Sequence, residues 1–270
     1  MTAANRVNLA SGLYFVATPI GTARDITLRA LDILASADVL AAEDTRTLRR
    51  LMDIHGIALD GRQMVAYHDH NGASVRPKLL KALSDGKSVA YASEAGTPLV
   101  ADPGYQLGRT VTEAGFFVTA APGPSAVLAA LSVSGLATDA FFFAGFAPTS
   151  KGQRQTFLRS LADVPGTLVF YESPKRVHKM LADLVEVYGD ARDAVVAREL
   201  TKKFEEVRRG TLAELVAELD GVSLKGEVVV LVARGETSAF DEKDTDILLK
   251  EAMAAGSLKD AVAQVVTTTG

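Results

Sequence analysis

Short apolar runs alternate with helical repeats through the first half of the sequence, and this alternation restricts the fold more than any other feature. Residues 13–17, 39–42, 65–67, 89–92 and 116–120 are too short for helices and apolar enough for buried strands. Between them lie amphipathic stretches. Leu28, Leu31 and Leu34 follow a capping Thr27, and Leu48, Leu51 and Met52 run to Gly56. Residues 77–83 close at Gly86, and residues 105–114 stop at Gly115. Strand–helix–strand repetition predicts βα units on a largely parallel sheet.

A helix from Ser125-Ala126 to Leu131 ends this series, and the pattern loosens over residues 132–139. The expected layout is an N-terminal arm (1–12), an α/β domain (13–131), a second α/β domain (132–236) and a helical tail (237–270). In the second half, Phe141, Phe142 and Phe143 read as a core strand. Residues 151–161 read as an exposed basic helix with Phe157, Leu158 and Leu161 inward. Residues 167–171 form a strand, and Val177, Met180, Leu181, Leu184 and Val185 mark a helix face. Residues 194–200 and 204–208 read as neighbouring strands, Thr211 and Glu214 as a capping box, and 228–233 as a final strand. The tail reads as two short helices, the second capped by Ser257.

At 270 residues there is room for two domains, each with its own core. The absence of cysteine excludes disulfides, thiolate metal sites and a cysteine nucleophile. A net charge of −4 gives no global attraction to nucleic acid, so such binding must use local cations. No apolar run reaches spanning length and no secretory pattern opens the chain, so a cytoplasmic protein with no membrane partner is expected.

Residues 93–104, Ser-Glu-Ala-Gly-Thr-Pro-Leu-Val-Ala-Asp-Pro-Gly, carry two glycines and two prolines in twelve positions. That composition makes a stiff, sharply turned loop at the end of a strand, where open α/β sheets place their ligands. It is neither a dinucleotide fingerprint nor a P-loop. Thr18-Pro19-Ile20-Gly21, Pro122-Gly123-Pro124-Ser125-Ala126, Tyr171-Glu172-Ser173-Pro174, residues 198–203 and Gly226-Glu227 also adjoin strand ends. A ligand held between two halves accounts for all of them.

These segments carry a resemblance. Val16-Ala17-Thr18-Pro19-Ile20-Gly21, Ala41-Ala42-Glu43-Asp44-Thr45-Arg46 and residues 93–104 form its first part. Pro122-Gly123-Pro124-Ser125-Ala126, Phe170-Tyr171-Glu172-Ser173-Pro174 and Ala197-Arg198-Glu199-Leu200-Thr201-Lys202 complete it. In this order they resemble the tetrapyrrole-methylase superfamily of S-adenosylmethionine (SAM) enzymes, and within it the ribosomal small-subunit RNA (cytidine-2′-O-)methyltransferases. The resemblance implies two α/β domains, a homodimer, and SAM in the inter-domain cleft, leaving S-adenosylhomocysteine (SAH), with no metal required. It assigns the cofactor to Pro19, Gly96, Thr97, Pro98 and Val100, then to Ser125 and Ala126. Tyr171, Glu172, Arg198, Glu199, Leu200, Gly226, Glu227 and Val228 complete the pocket from the other domain. Thr22-Ala23-Arg24 stands where the family usually has Asn-Leu-Gly, and Glu94 where it usually has Asp.

Methyl transfer from a sulfonium needs alignment above all, because the leaving group is good and neutral. A ribose hydroxyl is a poor nucleophile and gains from a base within hydrogen-bond reach. Glu94, Asp44 and His68 lead the candidates, with Glu43, Asp69 and Lys202 beside them. His68 and His70, two apart, share a face of an extended segment and are poor evidence for a metal on their own. Arg24, Arg46, His70, Asn71 and Lys202 are expected to meet 16S ribosomal RNA of the small subunit. Three basic clusters join them: Arg46, Arg49 and Arg50; Lys151, Arg154 and Arg159; and Lys175, Arg176 and Lys179, with Lys202 and Lys203 at the cleft edge. A tetrapyrrole-precursor C-methyltransferase and a non-catalytic ribosome-assembly factor are the alternative readings.

Overall fold

The computed structural model describes residues 4–235, 242–255 and 257–269. The first half forms β1 (Gly12–Val16), α1 (Leu28–Ser36), β2 (Val39–Ala42), α2 (Thr45–Ile54) and β3 (Gln63–Ala66). It continues with α3 (Gly72–Ser84), β4 (Ser88–Ala92), α4 (Tyr105–Glu113) and β5 (Val118–Ala121). The strands lie in the order β3-β2-β4-β1-β5, every pair parallel. Leu31 and Leu34 of α1 and Leu48 and Met52 of α2 pack on one face of this sheet. Leu79 and Leu83 of α3 and Leu107 and Val111 of α4 pack on the other. Connections leave β1 toward one edge and β4 toward the opposite one, so the loops after these adjacent strands flank the switch in strand order.

Helix α3 begins five residues before the Pro77 that the sequence suggested as its start. Asn71 explains this: its Oδ1 accepts from His68 N (2.9 Å) and its Nδ2 donates to Ala66 O (3.0 Å), which turns the chain into the helix early.

Helix α5 (Ala126–Ser134) leads into β6 (Phe141–Phe146), α6 (Lys151–Arg159), β7 (Thr167–Glu172), α7 (Val177–Tyr188) and β8 (Asp193–Arg198). Then come β9 (Glu206–Thr211), α8 (Leu212–Leu219) and β10 (Val228–Val232). The second sheet runs β6-β7-β10-β8-β9; only the β6–β7 pair is parallel. The predicted neighbours β8 and β9 pair from Asp193↔Thr211 to Arg198↔Glu206, and Thr211 and Glu214 form the capping box. Helices α6, α7 and α8 bury one face through Leu158, Met180, Leu184 and Leu215. On the opposite face, Val127, Ala130 and Leu131 of α5 meet Val169, Val195, Val229 and Leu231. The division expected at 131/132 thus falls inside α5, whose last carbonyls, Val133 O and Ser134 O, accept from Arg209 of β9.

Two expectations for this half are corrected. Strand β6 is an edge, so Phe141 and Phe142 stay 44% and 43% exposed, whereas only Phe143 turns inward. Helix α6 is not uniformly exposed: Arg154 is 4% exposed and paired with Asp183 of α7. It lies three, four and seven residues before Phe157, Leu158 and Leu161, on the apolar stripe itself.

The tail forms α9 (Glu242–Ala255) and α10 (Leu258–Thr269), which meet through Ala252, Ala261 and Val265. Ser257 caps α10 through Asp260 N (3.3 Å). No helix among the described residues is long and apolar enough to cross a membrane.

Candidate active site

Three strand-end loops of the first sheet are tied into one wall. Thr18 and Gly96 exchange backbone hydrogen bonds, both 2.9 Å, joining the loops after β1 and β4. Thr97 Oγ1 donates to Pro124 O (2.9 Å), adding the loop after β5. A clasp then crosses to the second sheet: Thr22 N donates to Thr201 Oγ1 (3.1 Å) and Thr22 Oγ1 to Thr201 O. The clasp requires Gly21. A Cβ there would lie 2.5 Å from Lys202 Cγ, 2.6 Å from Thr201 Oγ1 and 3.0 Å from Leu200 O. Gly21→Ala is therefore expected to cost about 1–3 kcal/mol of stability, read as a lower denaturation midpoint. Thr22→Ser, which keeps the hydroxyl, should leave that midpoint nearly unchanged.

Between these walls lies a cavity of about 680 Å³, within the range of about 300–1,000 Å³ usual for small-molecule sites. Pro19, Gly96, Thr97, Val100, Ser125 and Ala126 line it from the first sheet and α5. Tyr171, Glu172, Leu200, Gly226, Glu227 and Val228 line it from the second sheet. Three residues grouped with these from the sequence stand behind the wall. Pro98 is buried in the loop. Arg198 is held by Glu206 (3.1 Å) and Lys225 O (3.2 Å). Glu199 accepts from Glu227 N (3.0 Å) and Lys202 Nζ (2.9 Å). Glu172 lines the cavity but is 3% exposed and engaged with Arg176 (2.9 Å) and Ser173 N (2.7 Å), so it braces the wall.

Of the suggested catalytic groups, Glu94 faces the cavity, and so does Glu43. Asp44 does not. Its carboxylate caps α2 through Arg46 N (2.7 Å) and Thr47 N (3.4 Å) and meets the Arg46 guanidinium. Those bonds, the guanidinium first, lower its pKa to about 2, which leaves a weak base already committed. His68 lies outside the lining, its Nδ1 buried with no hydrogen-bond partner among the described residues and its ring edge-on to His70.

The expected RNA contacts separate as sharply. Arg24, Arg46 and His70 are exposed, with the Arg46 side chain 90% accessible. Asn71 is instead spent on its turn. Lys202 is bound at the rim by Glu199 and Glu227 (2.9 Å each); burial alone would lower its pKa, but the two carboxylates raise it overall. Arg154 and Arg176 are withdrawn from their clusters: Arg154 by Asp183, Arg176 by Glu172 and Ala147 O. Lys175 and Lys179 remain outward.

Asp102 is the cavity carboxylate that sequence reasoning did not single out. The loop approaches it through two left-handed non-glycine residues, Leu99 (φ 74°) and Ala101 (φ 59°), a conformation that costs energy and clusters at functional sites. Just beyond it, the buried Tyr91 hydroxyl donates to Pro103 O (3.0 Å) and fixes the loop. Burial, then the charges of Glu43 and Glu94, push the Asp102 pKa up to about 7. Burial likewise raises Glu43, with Glu94 and Asp69 adding to it and a backbone hydrogen bond from Glu94 opposing it. Tyr171 is pushed up to about 12, by burial and then by Asp102. The cavity lining thus combines apolar side chains with several carboxylates, an acceptor set suited to a cationic ligand with apolar parts.

Residues 12–216 match the family model described as Tetrapyrrole (Corrin/Porphyrin) Methylases. The Ribosomal RNA small subunit methyltransferase I of Mesorhizobium japonicum is 49% identical over 263 residues, covering 97% of this chain and 88% of that relative. The protein of the same name from Vibrio cholerae is 44% identical over 88% of this chain and 85% of its own. The chain belongs to the tetrapyrrole methylase family, on the branch of these relatives. Among solved structures, a uroporphyrin-III C-methyltransferase from Thermus thermophilus, complexed with S-adenosylhomocysteine, superposes with a TM-score of 0.57. It is 21% identical and covers 82% of this chain and 97% of that one. The methyltransferase CobJ reaches 0.61 at 20% identity, covering 83% and 95%. At those identities the solved tetrapyrrole methylases establish the fold.

Proposed function

We propose that this chain transfers a methyl group from S-adenosylmethionine to the ribose 2′-hydroxyl of a cytidine in 16S ribosomal RNA of the small subunit, as a cytoplasmic homodimer without a metal. The observation that carries the reading is one cavity built from both sheets in a chain 49% identical, over 97% of its length, to a small-subunit RNA methyltransferase. The tetrapyrrole enzymes share its fold at 18–21% identity, too low to carry their substrates across.

When bound, S-adenosylmethionine supplies an electrophilic methyl group. Gly96, Thr97, Ser125, Ala126 and Leu200 would hold it, the tied loops giving fixed backbone groups that need no reorganisation. Glu43, Glu94 and Asp102 face the cavity and oppose a positive charge. The Asp102 carboxylate, which faces the cavity with its pKa raised to about 7, would accept the proton of the acceptor hydroxyl. The exposed Arg24, Arg46, Lys175, Lys179 and Lys203 offer phosphate contacts around an acidic interior, so subunit binding should weaken as salt rises.

Small subunits from a strain lacking this gene, incubated with methyl-labelled donor, should gain label at one cytidine in an alkali-resistant linkage. Label on a tetrapyrrole instead, or on nothing, overturns the assignment.

A further inference from the structure

The bulge in β6 carries a consequence for substrate recognition. Phe143 pairs with Val169 and packs on the α5 face of the second sheet, while Ala144 packs on the face covered by α6, α7 and α8. Regular alternation would send Phe146 to the same side as Ala144. The register instead shifts between Phe143 and Gly145, with Gly145 in the left-handed region (φ 66°), so that Gly145 opposes Phe170 and Phe146 opposes Tyr171. One inserted residue thereby swings Phe146 over to the cavity side.

There Phe146 lines the cavity yet stays 58% exposed. Its ring stands edge-on to Tyr171 (5.6 Å, 64°), which is braced in turn by Phe143 (4.8 Å, 65°). This arrangement fixes an aromatic ring on a supported base and leaves much of its surface uncovered. Because β6 is the sheet edge, that ring sits at the open rim of the cavity, whereas Gly96, Val228 and Leu200 form the buried interior.

We propose that Phe146 is the stacking platform for the target nucleobase, holding it out of its RNA stack while its ribose enters the cavity. This rests on the RNA-methylating reading above. A supported, half-uncovered ring at the rim suits a planar heteroaromatic ligand arriving from outside, and aromatic stacking is how proteins grip splayed-out RNA bases.

The test uses the full chain with Phe146→Ala, Phe146→Leu and Phe146→Tyr, undermethylated small subunits as acceptor, and calorimetry with S-adenosylhomocysteine. Phe146→Ala should lower kcat/KM for subunits about five- to one-hundred-fold, the worth of one base–aromatic stack. Affinity for S-adenosylhomocysteine and oligomeric state should stay as they are. Phe146→Tyr should retain activity and Phe146→Leu should not, which separates stacking from bulk. Four results overturn the proposal: full activity in Phe146→Ala, equal loss of S-adenosylhomocysteine affinity, Leu serving as well as Tyr, or a change in oligomeric state. If the unaltered chain methylates no subunit, the reading of its function fails, and the platform with it.

Discussion

Asp102→Asn lowers the rate of methyl transfer by about 10²- to 10⁴-fold, the usual contribution of a positioned base, while S-adenosylhomocysteine binding is retained. The amide keeps the shape of the side chain in a loop already fixed by Tyr91 and by the bridge between Thr18 and Gly96, and it removes the proton affinity together with the negative charge. The unaltered enzyme should show kcat/KM, which reports the free enzyme, rising through about pH 7 to a plateau, because the ionised carboxylate is the active form. A flat profile between pH 6 and 8, or an Asn variant at full speed, would remove Asp102 from the chemistry.

The same group makes a stability prediction with a definite sign. Its pKa is 3.8 ordinarily and about 7 in the fold, so the folded state binds this proton more tightly. Folding is therefore favoured by this residue at low pH, and that advantage is lost as pH rises from about 4 through about 7. Asp102→Asn should accordingly melt higher than the unaltered chain at pH 8, with the gap closing toward pH 4. A variant that is slower and more stable under the same conditions is the signature of a carboxylate kept for function.

Arg154→Met destabilises the chain by about 3–5 kcal/mol, the largest stability effect expected here. Asp183 is 2% exposed, and its carboxylate is met by Arg154 Nε (2.6 Å) and Gln155 Nε2 (3.0 Å). Arg154 also donates to Thr149 O (2.9 Å) and Pro148 O (3.3 Å), which ties the entry of α6 to α7. Removing the guanidinium strands a buried charge and leaves those carbonyls short of a donor. The double variant Arg154→Met/Asp183→Leu should recover most of the loss, since both charges then leave together. Denaturant midpoints decide it: a double variant no better than the single one would mean that the loss comes from the backbone contacts alone. This arginine was expected among the RNA-facing cations, and its spacing against Phe157, Leu158 and Leu161 was the sign that it turns inward.

What the sequence determined by itself is the order of elements and the places where ligands gather. Apolar periodicity, caps and glycine stops act within about ten residues, so β1 to β5 and their helices are legible from local pattern. The loops at residues 18–21, 93–104 and 122–126 are legible too, because their prolines and glycines fix turns wherever the chain goes. Tertiary structure decided which of their side chains carry chemistry. Asp102 and Asp44 look alike in the sequence, yet one is half-buried in the field of Glu43 and Glu94 and the other is spent on a helix cap. The Thr22–Thr201 clasp spans 179 positions, and Phe146 reaches the cavity through a bulge that depends on its pairing with β7. Asp102 meets Glu43 only when the loops after β2 and β4 fold together, and Phe146 faces Tyr171 only once β6 pairs with β7. Protonation and facing there are set by partners that local pattern does not reveal.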